Sequence, residues 1–220
     1  MTKLIIIYSF LIIKIYSSPP NDWTVLFDGN NVDHWRGYRK TDFPWESWTI
    51  EDNCLKTLIN GKGVDLVSRK IYKNFQLELE WKVKHNGNSG IFYFGLEKTS
   101  KIWKSALEMQ ILDNIGHKDG LKPNTSAGSL YDLMAPNKDV VKPAGQFNYV
   151  MIKVKNNHVE HWLNGSKILE YQFGSDELKN MIMKSKFKRM PYFGRTNEGL
   201  IGLQGDHGEV WFRNIRIKEL

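Results

Sequence analysis

Glu108 and Gln110 alternate with Met109 and Ile111 inside Ala106-Leu-Glu-Met-Gln-Ile-Leu-Asp-Asn114. A β-strand sends successive side chains to opposite faces, so this order puts a carboxylate and an amide side by side on one face and both apolar residues in a core. A carboxylate held there can move a proton, and an amide beside it can hold a hydroxyl. Polar pairs of this kind also line the wet side of ordinary sheets. The loop Asn114-Ile-Gly-His-Lys-Asp119 then brings an imidazole and further oxygen donors to the strand's end, where binding groups concentrate.

The segments around this strand read mostly as further strands. Trp23 to Phe27 ends at the turn pair Asp28-Gly29, and a short segment reaches Trp35. Trp48 to Leu55 carries hairpin punctuation at Asp52-Asn53. Phe75 to Val83 alternates cleanly, with Phe75, Leu77, Leu79, Trp81 and Val83 facing one way and Gln76, Glu78, Glu80 and Lys82 the other. Asn86 to Gly90 reads as a turn into Ile91-Phe-Tyr-Phe94. Ala127 to Tyr149 is irregular and suits a rim. Asn156-Asn157 and Asn164-Gly165 separate strands at Met151 to Lys155 and His158 to Leu163 as consecutive hairpins. Ser175-Asp-Glu-Leu178 is a helix start, a capping hydroxyl followed by acids, continued by Met181 and Ile182. Leu200 to Gln204 and Val210 to Ile217 close the chain. Many alternating strands, one short helix and no βαβ rhythm predict an all-β sandwich of two antiparallel sheets.

The 220 residues, 41% hydrophobic and 25% charged, suit one globular domain with a large core. Residues 1–18 read as a secretory signal, with Lys3 ahead of the apolar run Leu4 to Ile13 and small Ser17 and Ser18 near the cut. That run is too short for a membrane span. The domain is expected over residues 19–220, exported to a periplasm or secreted. Losing Lys3 and Lys14 leaves 29 basic against 24 acidic residues, a net +5. Cys54 stands alone, so no intrachain disulfide is available, and no cysteine ends the leader to take a lipid anchor. The basic run Lys184, Lys186, Lys188, Arg189 reads as a solvated face, and no motif or charge excess points to nucleic acid.

Leu26-Phe-Asp-Gly29 with Trp35, Asn88-Ser-Gly90, Glu108-x-Gln-x-Leu-Asp113, His158-Val-Glu-His-Trp-Leu-Asn-Gly165, Leu203-Gln with Asp206-His-Gly208, and Phe212-Arg-Asn-Ile215 occur in that order. Together they resemble the 3-keto-disaccharide hydrolase domain family over nearly the whole chain after the leader. The resemblance implies a concanavalin A-like jelly-roll sandwich whose concave sheet holds the site. It also implies action on sugars oxidised to a ketone at carbon 3. Phe94 departs from the polar residue that members commonly carry after the aromatic of the Asn-Ser-Gly strand.

A C3 ketone acidifies the C2 proton, so a base can remove it, an enediolate forms, the group at C1 leaves and water completes net hydrolysis. This differs from the two-carboxylate glycosidase route. The resemblance then makes Glu108, His207 and Tyr131 acid/base candidates and Gln110, Asn88 and Arg213 candidates for holding hydroxyls or the oxyanion. Trp162 is a candidate platform for a sugar face. Asp113 with His117, or His117 with Asp119, offers nitrogen and oxygen donors for one divalent ion that would stabilise the enediolate. No organic cofactor is implied. His158 and His161 lie three apart on a strand and point to opposite faces, so they cannot chelate together. The competing function is a lectin-like carbohydrate-binding module on the same sandwich, which would need no acid/base pair. Either way Glu108, Gln110 and His207 are expected in one groove.

Overall fold

The structure is a computed structural model describing residues 22–220, and the expected leader at 1–18 lies outside them. In chain order the strands are β1 (Thr24–Phe27), β2 (Trp35–Gly37), β3 (Trp48–Glu51), β4 (Cys54–Thr57), β5 (Leu66–Tyr72), β6 (Phe75–Val83) and β7 (Asn88–Gly95). They continue as β8 (Leu107–Leu112), β9 (Asn148–Lys155), β10 (His158–Leu163), β11 (Ser166–Gln172), β12 (Gly199–Leu203) and β13 (Val210–Glu219), with helix α1 (Asp176–Lys184) between β11 and β12. None of the described helices is long and apolar enough to cross a membrane.

Two antiparallel sheets form a sandwich, as the strand pattern predicts. The larger runs β11-β10-β9-β6-β13-β4-β3, with β1 also paired to β13, and the smaller runs β2-β5-β12-β7-β8. Alternation explains the layering. Phe75, Leu77, Leu79, Trp81 and Val83 of β6 are buried against Leu107, Met109 and Ile111 of β8 and their neighbours in one core. Cys54 is a buried free thiol on β4.

Turn chemistry sets the hairpins. Asp52-Asn53, Asn156-Asn157 and Asn164-Gly165 all take positive φ, which matches the right-handed twist of the strands they join. Ser175 caps α1, its Oγ accepting the Leu178 amide at 3.1 Å. Two readings change. β5 has no counterpart in the sequence-based strands, because its burial runs in blocks, Leu66 to Ser68 inside and Arg69 to Ile71 outside. Asn88-Ser-Gly90 opens β7 instead of forming a turn.

β7 also bulges. Leu200 pairs with Gly95 but Gly202 pairs with Phe92, so β7 spends one extra residue there, and Phe94 sits at φ +60°. Tyr93 and Phe94 therefore both turn into the main core, while Phe92 joins a second apolar cluster with Tyr38, Val67, Ile102, Ala106 and Leu200. That cluster lies on the outward face of the smaller sheet, the face that also carries Glu108.

Candidate functional site

On β8, Leu107, Met109 and Ile111 face the core, which turns Glu108 and Gln110 outward. Across the ladder Gly90 opposes Gln110 and Phe92 opposes Glu108. Four irregular segments wall this patch: the turn carrying Trp103, the turn carrying Asp119, the turn carrying Lys186 and Phe187, and the loop carrying His207. They enclose a cavity of about 240 Å³ lined by Asn88, Trp103, Glu108, Gln110, Asp119, Tyr131, Lys186, Phe187, Gln204 and His207.

Glu108 is the electrostatic centre. Burial pushes its carboxyl up to about 8; the Lys186 charge opposes this, while the Asp65 and Asp206 carboxylates add to it. A carboxyl with that acidity can exchange a proton near neutral pH. Burial likewise raises the Tyr131 phenol well above its ordinary value, helped by the Asp119 and Glu108 carboxylates. The Lys186 ammonium lies 4.2 Å from the centre of the Tyr131 ring. It is carried by a turn whose start is capped by Ser185 Oγ on the Phe187 amide, with Phe187 stacked on Phe193 at 3.8 Å.

Two amides face the cavity with acceptors to spare. Gln110 and Gln204 are 1% and 7% exposed, and among the described residues the Oε1 of each is buried without a hydrogen-bond partner. A buried acceptor left unpaired costs roughly 1–3 kcal/mol, so this pair is built to receive hydroxyl donors. The Gln204 backbone is held from both sides: Ser89 Oγ donates to its main-chain carbonyl at 2.9 Å and its main-chain N–H donates to the Gly90 carbonyl at 3.0 Å.

The His207 loop is anchored by a buried acid. Asp65 accepts the Gly205 amide at 3.0 Å, and burial pushes its carboxyl up to about 6. Asp206 next along has Oδ1 3.1 Å from His207 Nδ1 and Oδ2 3.6 Å from Lys101 Nζ.

Glu108, Gln110, Asn88, Tyr131 and His207 thus meet in one cavity. Two expected site residues do not reach it. Trp162 alternates with the core residues His161 and Leu163, so it points from the outer face of the larger sheet, where its indole donates to Glu160 at 2.7 Å. Arg213 follows buried Phe212 and also points outward, pairing with Glu80 at 2.5 Å and lying 3.7 Å over the Phe147 ring. Both lie on the opposite side of the sandwich, and their placement corrects the reading of them as sugar contacts. Phe94 lies in the core and does not line the cavity.

The suggested metal donors are taken up by loop structure. Asp113 accepts the Asn86 and Ile115 amides at 2.9 and 3.2 Å, and His117 Nδ1 accepts the Asp119 amide at 3.1 Å. Neither lines the cavity. Among the described residues, the one group of three His or acidic side chains with ligand atoms within 4.8 Å is His158, Glu160 and Glu170, on the outer face with Trp162. Lys167 already sits 2.8 Å from Glu170 there. The donors of the cavity itself do not converge in this way, so the site fits a metal poorly and no step below uses one.

Sequence reasoning missed Lys186, Trp103 and Gln204 as cavity residues and weighed Asp119 only as a metal ligand. Lys186 stands in a basic run that resembles a solvated face, and nothing local separates it from Lys184 or Lys188. Gln204 carried a weak signal, one polar residue ending the apolar strand Gly199–Leu203.

Known proteins resemble this chain in sequence and in fold. A 3-keto-disaccharide hydrolase from Bacteroides thetaiotaomicron is 39% identical over 229 aligned residues, covering 90% of this chain and 78% of that protein. The crystal structure of a candidate glycosyl hydrolase from Parabacteroides distasonis ATCC 8503 matches with a TM-score of 0.84 at 29% identity, covering 93% of this chain and 98% of that one. The carbohydrate binding module CBM66 from Bacillus subtilis shares the fold alone, with a TM-score of 0.52 at 11% identity over 84% of this chain and 96% of that one. The family model of the 3-keto-alpha-glucoside-1,2-lyase-like domain matches residues 22–218, and the chain belongs to that family.

Proposed function

We propose that this protein cleaves the glycosidic bond of 3-keto-glycosides or 3-keto-disaccharides by C2 proton abstraction, elimination and hydration. The observation that carries the reading is Glu108: a carboxyl raised to about 8 in a small polar cavity is matched to taking a proton near neutrality. Its raised pKa suits proton abstraction from a weakly acidic carbon acid, and Asp119 is the other carboxylate on the cavity wall. Kinship with the Bacteroides thetaiotaomicron enzyme supports the same substrate class.

In this mechanism Glu108 takes the C2 proton, and the C2–H electrons move toward the C3 carbonyl, whose oxygen becomes negative. Lys186 and the Asn88 amide face that oxygen as donors. Collapse of the enediolate breaks the C1–O bond, and Tyr131 or His207 gives the leaving oxygen its proton. Water then adds its oxygen to C1 while C2 regains a proton, giving the free 3-keto sugar. Gln110 and Gln204 hold substrate hydroxyls through their Oε1 atoms, and Trp103 stacks on the sugar ring. The leader at 1–18 supports export.

The test is a contrast between two sugars. Purified protein is expected to cleave a 3-keto-glucoside and leave the parent glucoside untouched, since only the ketone makes C2–H acidic. In deuterated water, deuterium should enter C2 of the product. Equal cleavage of both sugars without deuterium at C2 overturns the mechanism, and binding without turnover of either would make the protein a lectin-like module.

A further inference from the structure

His161 is buried between the sheets, outside the cavity, and has no part in the chemistry above. Its contacts nevertheless have a definite direction. Nδ1 lies 3.1 Å from the Gly128 carbonyl oxygen, which can only accept, so Nδ1 carries the proton. Burial holds the imidazole down at about 4, so it is neutral and Nε2 is an acceptor. The Tyr93 hydroxyl, 2.9 Å away, therefore donates to Nε2, and the Tyr171 hydroxyl, 2.7 Å from that of Tyr93, donates in turn. The chain runs from Tyr171 through Tyr93 and His161 to one backbone carbonyl.

That carbonyl belongs to the segment closing the open side of the catalytic strand. β8 is the edge strand of the smaller sheet. Residues 128–131 run along its free side through main-chain bonds: the Gly128 N–H donates to the Gln110 main-chain carbonyl at 2.8 Å, the Gln110 main-chain N–H to the Ser129 carbonyl at 3.1 Å, and the Tyr131 N–H to the Glu108 main-chain carbonyl at 3.0 Å. The same segment carries the Tyr131 side chain into the cavity. Leu130 seats it in the core, but Gly128 is at φ +85°, where only a specific contact fixes a permissive backbone.

We infer that His161 is a positioning residue, its Nδ1–H···O=C bond to Gly128 locking residues 128–131 onto β8 and so setting Glu108, Gln110 and Tyr131 in register. The inference rests on the proposed reaction for its kinetic readout, and on geometry alone for the other. Misplacement on the order of 1 Å in such a site costs up to about 10²-fold in rate.

Three variants separate positioning from general stability. His161→Asn keeps an amide N–H where Nδ1 stood, His161→Gln loses that donor, and Tyr93→Phe removes the other end of the chain while leaving the Gly128 bond. Each is assayed on a 3-keto-glucoside, and backbone amide exchange is followed over residues 108–110 and 128–131. Expected are a fall in kcat of roughly 10- to 100-fold with a smaller change in KM for His161→Gln, faster exchange across 128–131 in that variant alone, and kcat near wild type for His161→Asn and Tyr93→Phe even if their melting points drop. The inference is overturned if His161→Asn and His161→Gln exchange alike across 128–131, or if kcat in all three simply follows melting temperature. If the wild type turns over no 3-keto sugar, the proposed function fails, and the exchange contrast alone decides the role of His161.

Discussion

Gly90 makes room for the carboxylate of Glu108. A Cβ built at residue 90 would stand 2.7 Å from Glu108 Cδ and 2.8 Å from Cγ, and nearer still to Oε1. The glycine of Asn88-Ser-Gly90 is therefore a matter of space on the sheet face, since its φ is not in the positive region where glycine is needed for the backbone. Gly90→Ala should displace the Glu108 side chain at a stability cost of about 1–3 kcal/mol from overpacking. Turnover should fall on the order of 10²-fold because the displaced group is the proposed base. Urea unfolding alongside steady-state kinetics reads both effects, and wild-type kinetics in Gly90→Ala would show that the carboxylate can act from elsewhere.

The raised pKa of Glu108 fixes the sense of the pH dependence. If the ionised form takes the C2 proton, kcat/KM climbs with pH and levels above about 8. Glu108→Gln should lower turnover by roughly 10²- to 10⁴-fold and remove that limb. Stability moves the other way. Between the ordinary value of 4.5 and about 8 the folded state holds a proton that the unfolded state has released, so stability falls as pH rises through this window. The glutamine variant should lose less stability over the same range, which thermal melts from pH 5 to 9 would detect.

His161 acts on the acid side. Unfolded chains protonate it near 6.5, whereas the buried ring resists protonation down to about 4. Over that interval the unfolded state binds more protons, so stability falls as pH drops from 6.5 toward 4. His161→Asn should flatten this decline. Equal acid sensitivity in both proteins would place the loss on other groups.

Kinetics should also separate the two indoles. Trp103→Ala is expected to raise KM roughly 2- to 10-fold, the worth of one stacking contact. Trp162→Ala and Arg213→Ala should leave KM and kcat at wild-type values, because both side chains lie across the sandwich from the cavity. A rise in KM for Trp162→Ala with none for Trp103→Ala would reverse the assignment.

Much of this arrangement is written locally. The alternation in β6 and β8 settles which side chains are buried, because a strand has two faces and a core claims one. Asp and Asn pairs at positive φ settle the hairpins, and Ser175 settles where α1 begins. Glu108, Gln110 and their shared face follow from residue order alone.

Only the tertiary structure decides what the non-core face meets. On the larger sheet that face is open, so Trp162 finds a hydrogen-bond partner in Glu160 and Arg213 an ion pair with Glu80 near the surface. On the smaller sheet it is walled by the turns and loops bearing Trp103, Asp119, Lys186 and His207, so the same period-two pattern yields a recessed cavity open on one side. Burial there raises Glu108, and burial between the sheets makes His161 a neutral donor to Gly128. Period-two order cannot carry that information, because Asn88, Glu108, Lys186 and His207 become neighbours only when segments a hundred residues apart in sequence pack together.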